Sequence, residues 1–181
     1  IHNGENSGVE FKRDDVHTES LAKEVAALLN LEGGIILIGV EDDGTVSGLT
    51  GNAKQTEEWV MNVCRTNVQP SIIPYWEKHV LTETEGIESS EPKTIGVIVL
   101  PADSPDKPYK AKRGSAWVTF IRVGSSSREA TREEEARLYQ SSGLMRYDIK
   151  AVPGSSMDDL DHRRLQNYFR DIRQQECPPI D

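Results

Sequence analysis

The sequence predicts an α+β fold, and three observations lead to it. Gly8 to Lys12 alternates in polarity with the period of a strand. Thr18 to Asn30 carries an apolar stripe at helical spacing. Ile35 to Val40 is a nearly unbroken aliphatic run, bounded by glycines and too short for a typical helix.

In the first strand Val9 and Phe11 share one face, and Glu10 and Lys12 the other. Asp14-Asp15 breaks away, after which Thr18 is placed as an N-cap with Glu19 in the first turn, where a carboxylate opposes the helix dipole. Leu21, Val25, Leu28 and Leu29, thickened by Ala22, Ala26 and Ala27, form the buried side of this helix. It is expected to stop near Asn30, with Gly33-Gly34 serving as a helix-end and strand-entry device. Ile35 to Val40 then reads as a central strand covered on both faces. Asp43-Gly44 signals a tight hairpin turn, and Thr45 to Leu49 would be the return strand. A second helix is expected from Ala53 to Asn67, with Trp59, Val60, Val63 and Cys64 facing inward. Pro70 and Pro74 end it and open an extended segment through Trp76, His79 and Leu81.

Glu83 to Pro92 is acidic and serine-rich, as suits an exposed hairpin loop. Thr94 to Leu100 is a second buried strand, Ala102 to Pro108 a proline-rich loop, and Ala116 to Val123 a last strand alternating around Trp117, Thr119 and Ile121. Thr131 with Glu134 makes a capping-box pattern, which starts a helix running toward Leu144. After Val152-Pro153-Gly154 a helix with sparse apolar positions is expected from about Asp158 to Gln174.

The chain has 181 residues. It is read as one domain over residues 1–145, then a linker and helix over 146–181 leading to a truncated C-terminal region. A hydrophobic fraction of 36% allows a substantial core, and no apolar stretch approaches the length of a membrane span. No charged-then-apolar leader opens the sequence. Cys64 and Cys177 lie far apart without metal-ligand spacing, so a reduced, cytoplasmic protein is the expectation. The balance of 21 basic and 30 acidic residues gives a net charge of −9. That argues against a protein that coats nucleic acid nonspecifically, because such binders neutralise many phosphates. A local basic face remains compatible with it.

The chemistry concentrates in two stretches. Glu5, Glu10 and Lys12 lie on and before one extended segment, and Glu41-Asp42-Asp43 stands where the aliphatic strand turns. Acids delivered from two strand ends can converge on a divalent cation, and a lysine beside them can orient a water or a phosphate. Two ordinary half-exposed strands with polar ends would carry the same residues.

These segments resemble the AlbA_2 domain of Schlafen proteins and of bacterial proteins described as transcriptional regulators. The resemblance rests on Glu-x4-Glu-Phe-Lys at Glu5 to Lys12 and on the alanine-rich helix ending in Asn30. Gly33-Gly34 leading into Ile38-Gly39-Val40-x-Asp42, Lys107-Pro108-Tyr109, and Ile121-Arg122-Val123-Gly124-Ser125 complete it. It implies a mixed β-sheet flanked by helices and a role on nucleic acid, RNA being favoured over DNA. In the Schlafen branch it implies a metal-dependent endoribonuclease acting on structured RNA such as tRNA. Glu5, Glu10 and Asp42 would then be the catalytic acids and the ligands of Mg²⁺ or Mn²⁺, with Lys12 positioning the nucleophile or the scissile phosphate. Glu41 stands where the family usually has aspartate. Schlafen nucleases clamp RNA between two such lobes, so a single copy implies a homodimer or another mode of binding. The alternative is a noncatalytic DNA-binding module of a multidomain transcriptional regulator.

Asp43 is assigned to the turn, since acids tolerate its backbone, and Glu41 to the opposite strand face. Lys107, Lys110, Lys112 and Arg113, with Tyr109 between them and Arg122 on the next strand, form the clearest basic cluster. It reads either as a solvated loop or as a nucleic-acid-binding patch in which Tyr109 stacks an unpaired base. Arg128 and Arg132 could extend it. The four histidines have neither zinc spacing nor a nucleophile partner, and a P-loop signature is lacking.

Overall fold

A computed structural model of the protein describes residues 1, 4–82, 91–102, 106–142, 154, 156 and 159–177. These divide into two compact units, Ile1–Met145 and Arg146–Asp181. In the first unit the chain runs through β1 (Val9–Lys12), α1 (Thr18–Asn30), β2 (Gly34–Ile38), α2 (Ala53–Thr66), β3 (Val68–Gln69) and β4 (Tyr75–Leu81). It continues through β5 (Lys93–Leu100), β6 (Lys110–Arg113), β7 (Ala116–Val123), β8 (Ser126–Glu129) and α3 (Arg132–Ser141). The fold is α+β, as expected, but the strands form two sheets rather than one. The first has the order β1-β2-β5-β4 and is mixed, β1 and β2 being parallel; the second, β3-β6-β7-β8, is antiparallel.

Helix α1 explains how two sheets share one core. Leu21, Val25 and Leu28 are completely buried, and they cluster with Ile36, Ile38 and Ile98 of the first sheet and with Ala111 and Phe120 of the second. A helix enclosed on this many sides must be apolar around most of its circumference, and Ala22, Ala26, Ala27 and Leu29 meet that demand. The helix begins one residue earlier than the Thr18 cap implied, with His17 in the capping position and no side-chain hydrogen bond there. Its end is as read: Gly33 takes a positive φ of 72° and donates to the carbonyl of Leu28. A side chain at Gly33 would meet backbone oxygens of Leu100 and Pro101 at 2.5 Å.

β2 is central, and its second face is covered in part: Leu37 packs against a small core of Phe11, Val40 and Ile95. Ile36 and Ile38 are fully buried, whereas Ile35 is exposed on the other face. The strand ends at Ile38 because Gly39 turns to φ 90° and passes against Gly48, whose N–H donates to the Gly39 carbonyl. The expected return strand therefore reduces to a single bridge between Val40 and Val46. The turn itself forms, with Asp43 accepting from the Thr45 N–H at 2.8 Å, a bond that lowers the Asp43 pKa.

Helix α3 carries the expected capping box: Thr131 accepts from the Glu134 N–H, and Glu134 accepts from the Thr131 N–H. A forked pair with Arg128 joins it, and that guanidinium first, with the Thr131 N–H second, holds the Glu134 pKa down at about 2. Strands β6 and β8 were not expected. The acidic loop at 83–90 and the linker at 152–153 fall outside the described residues. In the second unit α4 (His162–Asn167) is capped by Asp161, which accepts from the Arg164 N–H, and continues as a π-helical turn to Arg173. No helix among the described residues is long and apolar enough to cross a membrane.

Candidate functional site

The Glu-x4-Glu segment folds as a tight turn followed by β1. Asn6 and Val9 exchange backbone hydrogen bonds, and the Asn6 side chain accepts from the Gly8 N–H at 2.9 Å. This turn directs Glu5 back along the strand, where its carboxylate accepts from the Phe11 N–H at 2.9 Å. Strand alternation then sets Glu10 and Lys12 on one face, as read, and the Lys12 ammonium contacts a Glu10 carboxylate oxygen.

That face is not solvated. Glu10 is 4% exposed, and its second carboxylate oxygen meets the guanidinium of Arg122 from β7. The Arg122 side chain is completely buried. It also pairs with Glu24 of α1 at 3.1 Å, and donates to the carbonyls of Asn6 at 2.8 Å and Val9 at 3.2 Å. Glu24, itself buried, pairs further with Lys23 at 3.0 Å and accepts from Ser127. A buried charge cluster thus ties β1, α1, β7 and β8 together. Burial, followed by the repulsion of Glu24, outweighs the cations and raises the Glu10 pKa, although Lys12 opposes the shift.

Asp42 stands apart from this cluster. It is exposed on the turn after β2, in a shallow depression with Lys12, Arg13, Asp15 and Ser20. Among the described residues no three His, Cys, Asp or Glu side chains are grouped so as to hold a metal ion. Glu5, Glu10 and Asp42 have the right oxygen donors for Mg²⁺ or Mn²⁺. As arranged they do not fit one, because Glu10 is already matched by two cations. Its oxygen toward Arg122 makes no aligned hydrogen bond, and Arg122 Nε has none either.

The basic cluster is divided by the fold. Tyr109 is 3% exposed and lies in the core, its N–H donating to Asn30 at 2.7 Å, so its ring offers no stacking surface. Arg122 likewise has no access to a phosphate. These two assignments are corrected, and the physical reason is the same: both side chains are buried. Lys107 donates to the Leu31 carbonyl at the end of α1. Lys110 pairs with Glu135 at 2.8 Å, which raises its pKa, and Arg113 pairs with Glu129. Lys112 is exposed and makes no side-chain bond or ion pair among the described residues. Directly opposite it in register is Trp117, 41% exposed. In the sequence Trp117 is one alternating position of a strand, and that pattern gives it no role.

The Schlafen, AlbA_2 family model matches residues 5–131. Among solved structures, the DIP2311 protein from Corynebacterium diphtheriae is similar at 16% identity with a TM-score of 0.52, over 92% of this chain and 30% of that one. The chain therefore spans less than a third of the length of that protein, and the likeness concerns the fold. The N-terminal domain of a RecG-related protein from Nitrosomonas europaea is similar at 22% identity with a TM-score of 0.47, over 68% of this chain and 82% of that one. No curated protein matches.

Proposed function

Taking as premise that the chain belongs to the Schlafen AlbA_2 family, we propose that it is a nucleic-acid-binding domain, with RNA favoured over DNA. The observation that carries this reading is strand β6. It displays Lys110, Lys112 and Arg113 within four residues of a chain whose net charge is −9. Lys112 is unpaired among the described residues, and the partners of Lys110 and Arg113 are partly exposed. Surface pairs of this kind contribute about 0–1 kcal/mol, so both cations can exchange a carboxylate for a phosphate at little cost. The acidic remainder of the surface limits contact to this one region, since overall attraction is lacking.

The test is fluorescence anisotropy with a labelled tRNA across a series of salt concentrations. Lys110→Ala, Lys112→Ala and Arg113→Ala combined should weaken binding and flatten the dependence of log K on log salt by roughly 2–3 contacts' worth. An unchanged slope would remove β6 from the interface.

A second reading is divalent-metal-dependent endoribonuclease activity through Glu5, Glu10, Asp42 and Lys12. Lys12 favours it, because it touches Glu10 and also lines the depression that holds Asp42. Glu10 would have to exchange its two cations for the ion. Cleavage of tRNA that needs Mn²⁺, stops with chelator and is missing in Glu10→Ala would establish it.

A further inference from the structure

We infer that Trp117, with Lys112 beside it, is a stacking platform for an unpaired nucleobase, so that the partner is a single-stranded or looped-out nucleic-acid segment rather than a duplex. This deepens the proposal of nucleic-acid binding and rests on it. Trp117 and Lys112 are register partners on β7 and β6, which sets their side chains next to each other on one sheet face. Further along that face α3 covers the sheet: Glu135 bonds to both Thr119 and Lys110, and Lys110 lies 5.9 Å from the ring centre of Tyr139. The Lys112–Trp117 row is the next one on that face after Lys110–Thr119, toward the hairpin tip, and there Trp117 is 41% exposed.

The hairpin that carries the pair is anchored on two sides. At the tip the Gly114 N–H donates to Glu19, in the first turn of α1, at 2.9 Å. On the other side the Lys112 N–H donates to the Asn67 carbonyl at 2.9 Å. The hairpin beneath the ring is thus tied down, so little backbone freedom is lost when a base settles there. Lys112 stands beside the ring on that face, where it can meet a phosphate that flanks such a base. Bases inside a duplex are stacked on each other and present no face to the ring, which is why the arrangement selects unpaired nucleotides.

Trp59 and Trp76 pack against the core, so quenching of the exposed indole reports on Trp117. The experiment titrates the protein with a 12-mer RNA, the DNA of the same sequence, and the blunt RNA duplex, following tryptophan emission and anisotropy together. The two single strands distinguish ribose from deoxyribose recognition. Wild type should be quenched by single strands and bind them more tightly than the duplex. Trp117→Leu should lose the quench and weaken single-strand binding about tenfold, with duplex binding unchanged. Trp117→Phe, which keeps a smaller ring, should fall between them and serves if the leucine variant does not fold. Single-strand binding that Trp117→Leu leaves intact overturns this inference alone. Failure of wild type to bind any of the three probes overturns both this inference and the proposed function.

Discussion

Arg122→Met is expected to destabilise the domain by about 3–5 kcal/mol, the loss that follows when one partner of a buried ion pair is removed. The guanidinium stands between Glu10 and Glu24, all three being buried. Methionine fills much of the volume but leaves two carboxylates facing each other without their shared cation. It also deprives the Asn6 and Val9 carbonyls of a donor, so the turn that carries Glu5 loosens. Arg122→Lys should rescue little, since one ammonium cannot reproduce the fork that reaches two glutamates and two carbonyls. The sign of the pH dependence is fixed by the direction of the shift. A carboxyl whose pKa is raised in the folded state takes up a proton there that the unfolded chain has released. Its favourable contribution is full below the unfolded pKa and is lost as pH rises through the folded one. Glu10 is raised in the wild type, and removing Arg122 raises it further. Urea unfolding should therefore show a smaller loss for Arg122→Met at pH 5 than at pH 8. An equal loss at both would mean that the arginine acts by packing alone.

Asn30→Ala is expected to cost about 3 kcal/mol through the loss of three buried hydrogen bonds, each worth about 1 kcal/mol net. Asn30 ends α1, is buried, and makes three bonds at once. Its amide donates to the carbonyls of Tyr109 at 2.8 Å and Phe120 at 2.7 Å, and its oxygen accepts from the Tyr109 N–H. The side chain thereby stitches the end of the helix to the segment entering β6 and to the middle of β7. Alanine removes all three of these bonds from the core at once. Chemical denaturation measures the loss, and amide exchange of Tyr109 should rise by more than that of residues in β5. A loss under about 0.5 kcal/mol, within the range of ordinary surface substitutions, would show that these groups find other partners.

How far the sequence speaks depends on the range of the interactions involved. The stripe of Leu21, Val25 and Leu28 and the Thr131–Glu134 capping box are local patterns, and the elements they imply are present. Strands β6 and β8 read Lys-Ala-Lys-Arg and Ser-Ser-Arg-Glu; with so few apolar residues, they are strands because β7 pairs with both. The burial of Arg122 depends on Glu24, 98 residues away in sequence. One signal for it was visible. Glu24 interrupts the apolar face of α1 at the spacing of Leu21 and Leu28, and a charge at a core position needs a buried partner. Glu10 was legible as facing with Lys12 but not as buried, because strand alternation gives the face and not what covers it. Trp117 went unassigned for the same reason: alternation alone does not reveal that α3 stops short of it.

Glu10 is matched within the fold by Arg122 and Lys12. Titration of the protein with Mn²⁺, followed by the electron paramagnetic resonance signal of the free ion, tests this directly on wild type and Glu10→Gln. The arrangement predicts no saturable uptake beyond weak surface binding, identical in the two proteins. Stoichiometric, saturable uptake by wild type that disappears in Glu10→Gln would contradict it and move the proposal to metal-dependent cleavage.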